Sequence, residues 1–220
     1  KIAEEAVMKI DADFPDEGKK TLVLDPSHLS LTIHESVGHP TELDRVLGYE
    51  ANFAGRSFAT PEKKGQFEYG SELVNFVADN TLPSGLATTG YDDEGVQCQK
   101  WDIIRDGILV DYSSTREVAP IIGEKRSRGS ARADGYYNMP INRIPNLSLM
   151  PSDDKVTPED LMEGVEDGIM IEGRGSFSID QMRLNFQFGG DVFYEIKNGK
   201  KGKMLRDVIY QSITPEFWGS

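Results

Sequence analysis

Cysteine and histidine are the scarce residues of this 220-residue chain, with one cysteine, Cys98, and three histidines, His28, His34 and His39. A single thiol excludes an internal disulfide, which fits a reducing compartment. Basic residues are short as well: 24 Lys and Arg against 37 Asp and Glu leave a formal charge of −13. That balance argues against nucleic acid and an anionic membrane as partners, because both attract a basic footprint. No apolar run reaches the ~20 residues that span a bilayer, and no signal peptide is visible. The 38% of hydrophobic residues suffices for one sizeable core or two small ones.

Two of the three histidines stand together in His34-Glu35-Ser36-Val37-Gly38-His39. Two imidazoles can hold zinc while the neighbouring carboxylate deprotonates the water it binds, which is the chemistry of peptide-bond hydrolysis. The familiar form of this pattern is H-E-x-x-H, with ligands four apart on one helical face. Here they are five apart. At about 100° per residue, positions five apart diverge by roughly 140° on a regular α-helix. The rings therefore converge only if the helix is widened or broken between them. A π-bulge adds one residue to a turn and does this. Gly38 loosens the backbone, and Pro40 removes an N–H and crowds the carbonyl of Ser36. The sequence predicts a helix from near Ser27 or Ser30 to about Leu47, stopped by Gly48 and distorted between Gly38 and Thr41.

Elsewhere the pattern is α+β: a mostly antiparallel β-sheet system with few helices, the metal motif lying on a distorted helix. Residues 1–10 read as the end of an amphipathic helix, with Ala3, Val7 and Ile10 on one face. Asp106-Gly107 and Asn198-Gly199 mark hairpins, and Gly173-Arg174-Gly175 is a third candidate. Leu184, Phe186 and Phe188 alternate with polar residues, as a half-buried strand requires. Thr157 and Pro158 open a second helix, to about Glu166, as N-cap and first residue. Residues 127–135 read as the loosest stretch.

The candidate roles follow from residue chemistry. His34 and His39 are the metal ligands, and Glu35 is the general base, against the plain reading of a surface ion pair. Glu42 and Asp44 either orient a ligand imidazole or form a solvated acidic helix end, and Glu42 is also a possible further metal contact. His28 reads as structural, and Cys98 as a buried thiol in a strand over 96–101. The run from Asp92 through Asp93 and Glu94 to Gly95 suits either a substrate amine or second cation, or an ordinary tight turn. Arg126, Arg128 and Arg132 form the one basic cluster. They either grip a substrate carboxylate or carbonyl, or belong to a mobile loop or subunit contact. Tyr136, Tyr137 and Arg143 are candidates to line the same cleft.

The chain resembles the TldD/PmbA family, on its TldD side, over nearly its whole length. Leu24-Asp25-Pro26 enters the motif, and His34-Glu35-x-x-Gly38-His39-x-x-Glu42-x-Asp44 matches the family's long pattern. Tyr91-Asp92-Asp93-Glu94-Gly95, Ser127-x-Gly129-x-x-Arg132 and Pro140-x-x-Arg143-x-x-Asn146 are similar to further signatures, in the same order. The resemblance implies a cytoplasmic zinc metallopeptidase that cuts unfolded or linear peptides. It also implies a dimer, either a homodimer or a heterodimer with a family paralogue. Residues 1–20 are then expected to be the end of a helix and linker from an N-terminal domain. Residues 21–220 would be the C-terminal metallopeptidase domain, cut before its end. The family's third zinc ligand is a cysteine downstream of Thr214-x-Glu216-Phe217-Trp218, expected beyond residue 220. Pro40, where many relatives have glycine, is a departure. The competing expectation is a non-catalytic module that binds linear peptides or a partner and carries a structural metal.

Overall fold

The computed structural model describes residues 1–152 and 155–220. The chain forms two units, one from Lys1–Thr32, Ser152–Ser178 and Gln187–Gln211, the other from Ile33–Pro151, Ile179–Phe186 and Ser212–Ser220. Both are α+β, as the patterning predicts. Among the described residues no helix is long and apolar enough to cross a membrane.

The first unit is built on a four-stranded sheet in the order Thr21–Leu24, Asp167–Glu172, Val192–Lys197, Lys200–Leu205. Its first pair is parallel and the others antiparallel. The central strand buries Ile169 and Ile171 with Phe193, Leu205 and Val208. Ile196 packs with Val23, Met162 and Val165 in a second cluster. Met162 comes from the helix Pro158–Glu163, where Thr157 and Asp160 form a reciprocal capping box. That helix ends at Glu163, capped by Gly164, three residues earlier than expected. The helix Ile2–Ile10 buries none of its residues. Asn198-Gly199 turns the hairpin as predicted, with φ of 48° and 76°. Gly173–Gly175 makes no hairpin, because Asp167–Glu172 and Phe177–Ile179 belong to different sheets. The latter joins Asn185–Gly189 and Ile209–Ile213 in a three-stranded sheet. Phe186 and Phe188 are buried while Asn185 and Gln187 are exposed, as the alternation requires.

The second unit carries an antiparallel sheet in the order Ile108–Leu109, Lys100–Arg105, Phe76–Asp79, Leu147–Leu149. Phe76, Ala78, Ile103, Ile104 and Leu109 are fully buried in it. Asp106-Gly107 turns the first hairpin with φ of 49° and 75°, the left-handed pair that this two-residue turn demands. A Cβ at Gly107 would lie 2.4 Å from the carbonyl of Gly70, so close approach selects glycine there too. The 127–135 stretch is more ordered than its composition implied. Ala131–Arg132 pairs with Ile141–Asn142, and Ser127, Ser130 and Ala131 are buried. Cys98 is a buried thiol, as expected, but it precedes the strand Lys100–Arg105 and contacts Gly129 O at 3.3 Å.

His28 is structural. Its Nδ1 donates to Gly173 O at 2.8 Å, which leaves Nε2 to accept from Tyr210 Oη at 2.9 Å. Burial lowers its pKa below the usual value. An unfolded His28 takes up a proton below about pH 6.5 while the buried one does not, so stability falls as pH drops below that point. We expect the His28→Gln variant to lose less stability than the parent between pH 7 and 5 in chemical denaturation. Equal losses would contradict this role.

Candidate metal centre

The helix Pro26–Ile33 becomes a π-helix over His34–Gly38, in which His39 N–H donates to His34 O across five residues. The turn is thus widened where the spacing requires, although the distortion starts at His34 rather than at Gly38. The 3₁₀ turn His39–Thr41 follows, and Glu42 breaks into extended backbone before the helix Leu43–Val46. Gly48, with φ of 86°, stops the run as predicted.

Two of the carbonyls displaced by this distortion have side-chain partners. In a regular helix Ser36 O would accept from residue 40, but Pro40 has no N–H. The Tyr69 hydroxyl donates to Ser36 O instead. Thr41 Oγ1 donates to Val37 O at 2.7 Å. Trp218 Nε1 donates to Ser36 Oγ at 3.0 Å, from the helix Thr214–Trp218. Gly38 has ordinary helical dihedrals, so its value is not looseness but space. A Cβ there would meet the Ile144 side chain at 2.8 Å.

The widened turn brings one donor atom each from His34, Glu35 and His39 within 4.8 Å of one another. The imidazole centroids are 4.7 Å apart with planes at 84°. His34 opens to solvent, whereas Glu35 is buried and His39 half-buried. His39 Nδ1 lies 2.7 Å from Glu42 Oε2. A carboxylate oxygen accepts, so Nδ1 carries the proton and Nε2 keeps its lone pair. Burial, followed by the charge of Arg45, pushes the pKa of His39 down to about 4, so the ring is neutral at pH 7. Burial raises Glu42 to about 7 against the opposing pull of Arg45. Glu42 Oε1 is a buried oxygen without a partner among the described residues.

Three groups at this site carry no signal in the motif. Arg45 is fully buried and donates to Glu42 at 3.1 Å, to Glu50 at 3.1 Å and to Ala54 O. Arg143, a predicted candidate, reaches Glu50 at 3.3 Å and so joins this chain of charges. Arg183, 148 residues after Glu35, donates from Nη1 to Glu35 Oε2 at 2.7 Å and from Nη2 to Ala54 O at 3.2 Å. Such a separation is invisible to local pattern reading, whereas Arg45 stands three residues after Glu42 within the same run.

The other predicted residues make different contacts. Asp44 accepts from the backbone of Arg45 at 2.7 Å and of Asn142 at 2.9 Å, and burial raises its carboxyl to about 6. It fastens the motif to the strand Ile141–Asn142. Asp93 accepts from Ala133 N at 2.8 Å, and Asp92 accepts from the backbone of Glu94, Val96 and Ala131, as a tight turn does. Arg132 donates to Ile144 O at 2.7 Å. Arg126 donates to Gln97 O, while Arg128 pairs with Asp111, so the basic residues do not act as one cluster. Tyr136 and Tyr137 are exposed.

Residues 17–220 match the family described as the PmbA/TldA metallopeptidase C-terminal domain. The chain belongs to this family. It is 35% identical over 191 residues to a metalloprotease of Methanocaldococcus jannaschii, covering 87% of this chain and 40% of that protein. It is 26% identical over 208 residues to a zinc metalloprotease TldD homologue of Saccharolobus solfataricus, covering 92% of this chain and 43% of that one. The chain thus spans less than half the length of these relatives. Two solved structures share the fold. One, from Thermotoga maritima and described as a candidate modulator of a DNA gyrase, superposes with a TM-score of 0.81 at 21% identity, covering 99% of this chain and 47% of that one. TldE of Thermococcus kodakarensis superposes with a TM-score of 0.77 at 20% identity, covering 99% and 48%.

An outer carboxylate that holds a ligand imidazole is worth about 10- to 100-fold in metal affinity. Glu42→Gln should therefore weaken zinc binding by about that factor in a chelator competition. Unchanged affinity would mean that the His39–Glu42 contact does not orient the ligand.

Proposed function

We propose that this chain is the metal-bearing part of a zinc-dependent peptidase acting on unfolded or linear peptides. The observation that carries the reading is the convergence of His34, Glu35 and His39 on one widened turn. Two neutral imidazole nitrogens and the neighbouring Glu35 carboxylate oxygen are a donor set that suits zinc. His34 and His39 would hold the metal, with the third protein ligand supplied by a cysteine beyond residue 220 in the longer protein. When bound, zinc supplies Lewis acidity to the scissile carbonyl and acidifies water.

The rest is the work of side chains. Glu42 keeps the proton of His39 on Nδ1, so that Nε2 faces the site as a lone pair. Glu35 takes a proton from the attacking water on its carboxylate and passes it to the leaving amine nitrogen. Arg45 and Arg143 hold Glu42 and Glu50 in place against their burial. The zinc metalloprotease relative supports zinc, and the assembly that goes with this reading is a cytoplasmic homodimer or a heterodimer with a family paralogue.

A second reading has one observation in its favour. Glu35 is already ion-paired with Arg183, which would suit a non-catalytic module that binds linear peptides or a partner around a structural metal.

The test is turnover of a quenched fluorogenic peptide by the full-length protein. Glu35→Ala should lower turnover by at least about 100-fold while zinc content stays at the parental level. Undiminished turnover would refute Glu35 as base. Peptide binding that survives His34→Ala, with no cleavage by the parent under any metal, would establish the second reading.

A further inference from the structure

The Arg183–Glu35 pair admits an interpretation opposite to blockade, and the backbone around it supports this. Arg183 is a non-glycine residue with φ of 61°, a left-handed conformation that crowds an ordinary side chain against its own backbone. The surrounding segment enforces it. Asp180 O accepts from Arg183 N at 3.0 Å, and the Asp180 carboxylate accepts from Leu184 N and Asn185 N at 2.9 and 3.1 Å. Thr214 Oγ1 donates to Arg183 O at 3.0 Å. The segment is then fastened to the stretch after the motif, through Arg56 N to Gln181 O at 2.7 Å and Phe58 N to Met182 O at 3.0 Å. A strained residue tied down on both sides places its guanidinium reproducibly.

That guanidinium does two things. One nitrogen holds Glu35 Oε2 and the other holds Ala54 O. Ala54 O also accepts from Arg45, whose remaining donors hold Glu42 and Glu50. A continuous run of hydrogen bonds thus leads from Glu35 through two arginines to Glu42 and His39. Among the described residues Arg183 is the one cation paired with Glu35. Among the same residues one oxygen of that carboxylate is engaged, which leaves the other for proton transfer.

We propose that Arg183 is a positioning residue. It fixes the rotamer of Glu35 so that the free carboxylate oxygen is held toward the His34–His39 pair. The assignment rests on the peptidase reading and adds to it a residue outside the motif. Misplacing a general base removes much of what it contributes, about 100-fold or more.

The variant of choice is Arg183→Gly, because glycine adopts φ of 61° without strain. Its backbone should therefore survive the loss of the side chain. In the zinc-loaded full-length protein, Arg183→Gly should lower kcat about 100-fold with KM within about threefold. Zinc affinity should stay within about threefold of the parent. Arg183→Lys, which restores a cation without the planar fork, should recover part of kcat. In the metal-free protein, Glu35→Gln and Arg183→Gly should have non-additive effects on thermal unfolding.

Parental kcat in Arg183→Gly overturns the assignment, as does a fall in kcat that merely follows lost zinc. A rise in KM at unchanged kcat also overturns it, because Arg183 would then be a substrate contact. Additive unfolding effects would show that the pair does not form in solution. Should Glu35→Ala stay fully active, the peptidase mechanism itself falls, and the role of Arg183 falls with it. An inactive Glu35→Ala beside a fully active Arg183→Gly defeats the positioning role alone.

Discussion

The hydrogen bond from His39 N–H to His34 O spans five residues instead of four, and the site depends on that extra residue. It turns a spacing that would splay two imidazoles into one that gathers them. Such a turn is rare because it strains the regular ladder and leaves carbonyls out of step. Here side chains meet the groups that the turn puts out of step. Pro40 cannot serve Ser36 O, so Tyr69 does; Thr41 covers Val37 O; Trp218 holds the Ser36 hydroxyl. Ile144 sits against Gly38 where a larger residue would intrude. The distorted turn is therefore held by the second unit's own core residues, not by the helical propensity of its sequence.

Charge organises the second layer. Glu35, Glu42 and Glu50 are all buried, and burying three carboxylates is costly unless each is paired. Arg45, Arg143 and Arg183 supply the pairing within an acidic chain, and they do so in shared fashion. The arrangement keeps His39 neutral and its proton on one nitrogen. It also brings three arginines to a site whose motif, His34 to Asp44, contains no arginine or lysine.

Much of this was legible in the residues. The five-residue spacing in His34–His39 demanded a widened turn because helix geometry leaves no other way for the rings to meet. Asp106-Gly107 and Asn198-Gly199 announced their hairpins through the positive φ they permit. The Gly173–Gly175 turn misled because two glycines signal a change of direction, not which strand comes next; the strands on either side go to different sheets. The looseness expected of residues 127–135 failed because buried serines and a short strand pair depend on distant partners such as Asn142. Arg183 escaped altogether, since its left-handed turn is set by hydrogen bonds accepted by Asp180 and donated by Thr214 rather than by its own residue type.

The central claim is that two imidazoles reach one cation because the backbone between them is widened. X-ray absorption at the zinc edge of the loaded full-length protein addresses it most directly. The account predicts a first shell with two imidazole nitrogens at about 2.0 Å, reduced to one in His34→Ala and in His39→Ala alike. A shell that keeps the same imidazole count in either variant would contradict it.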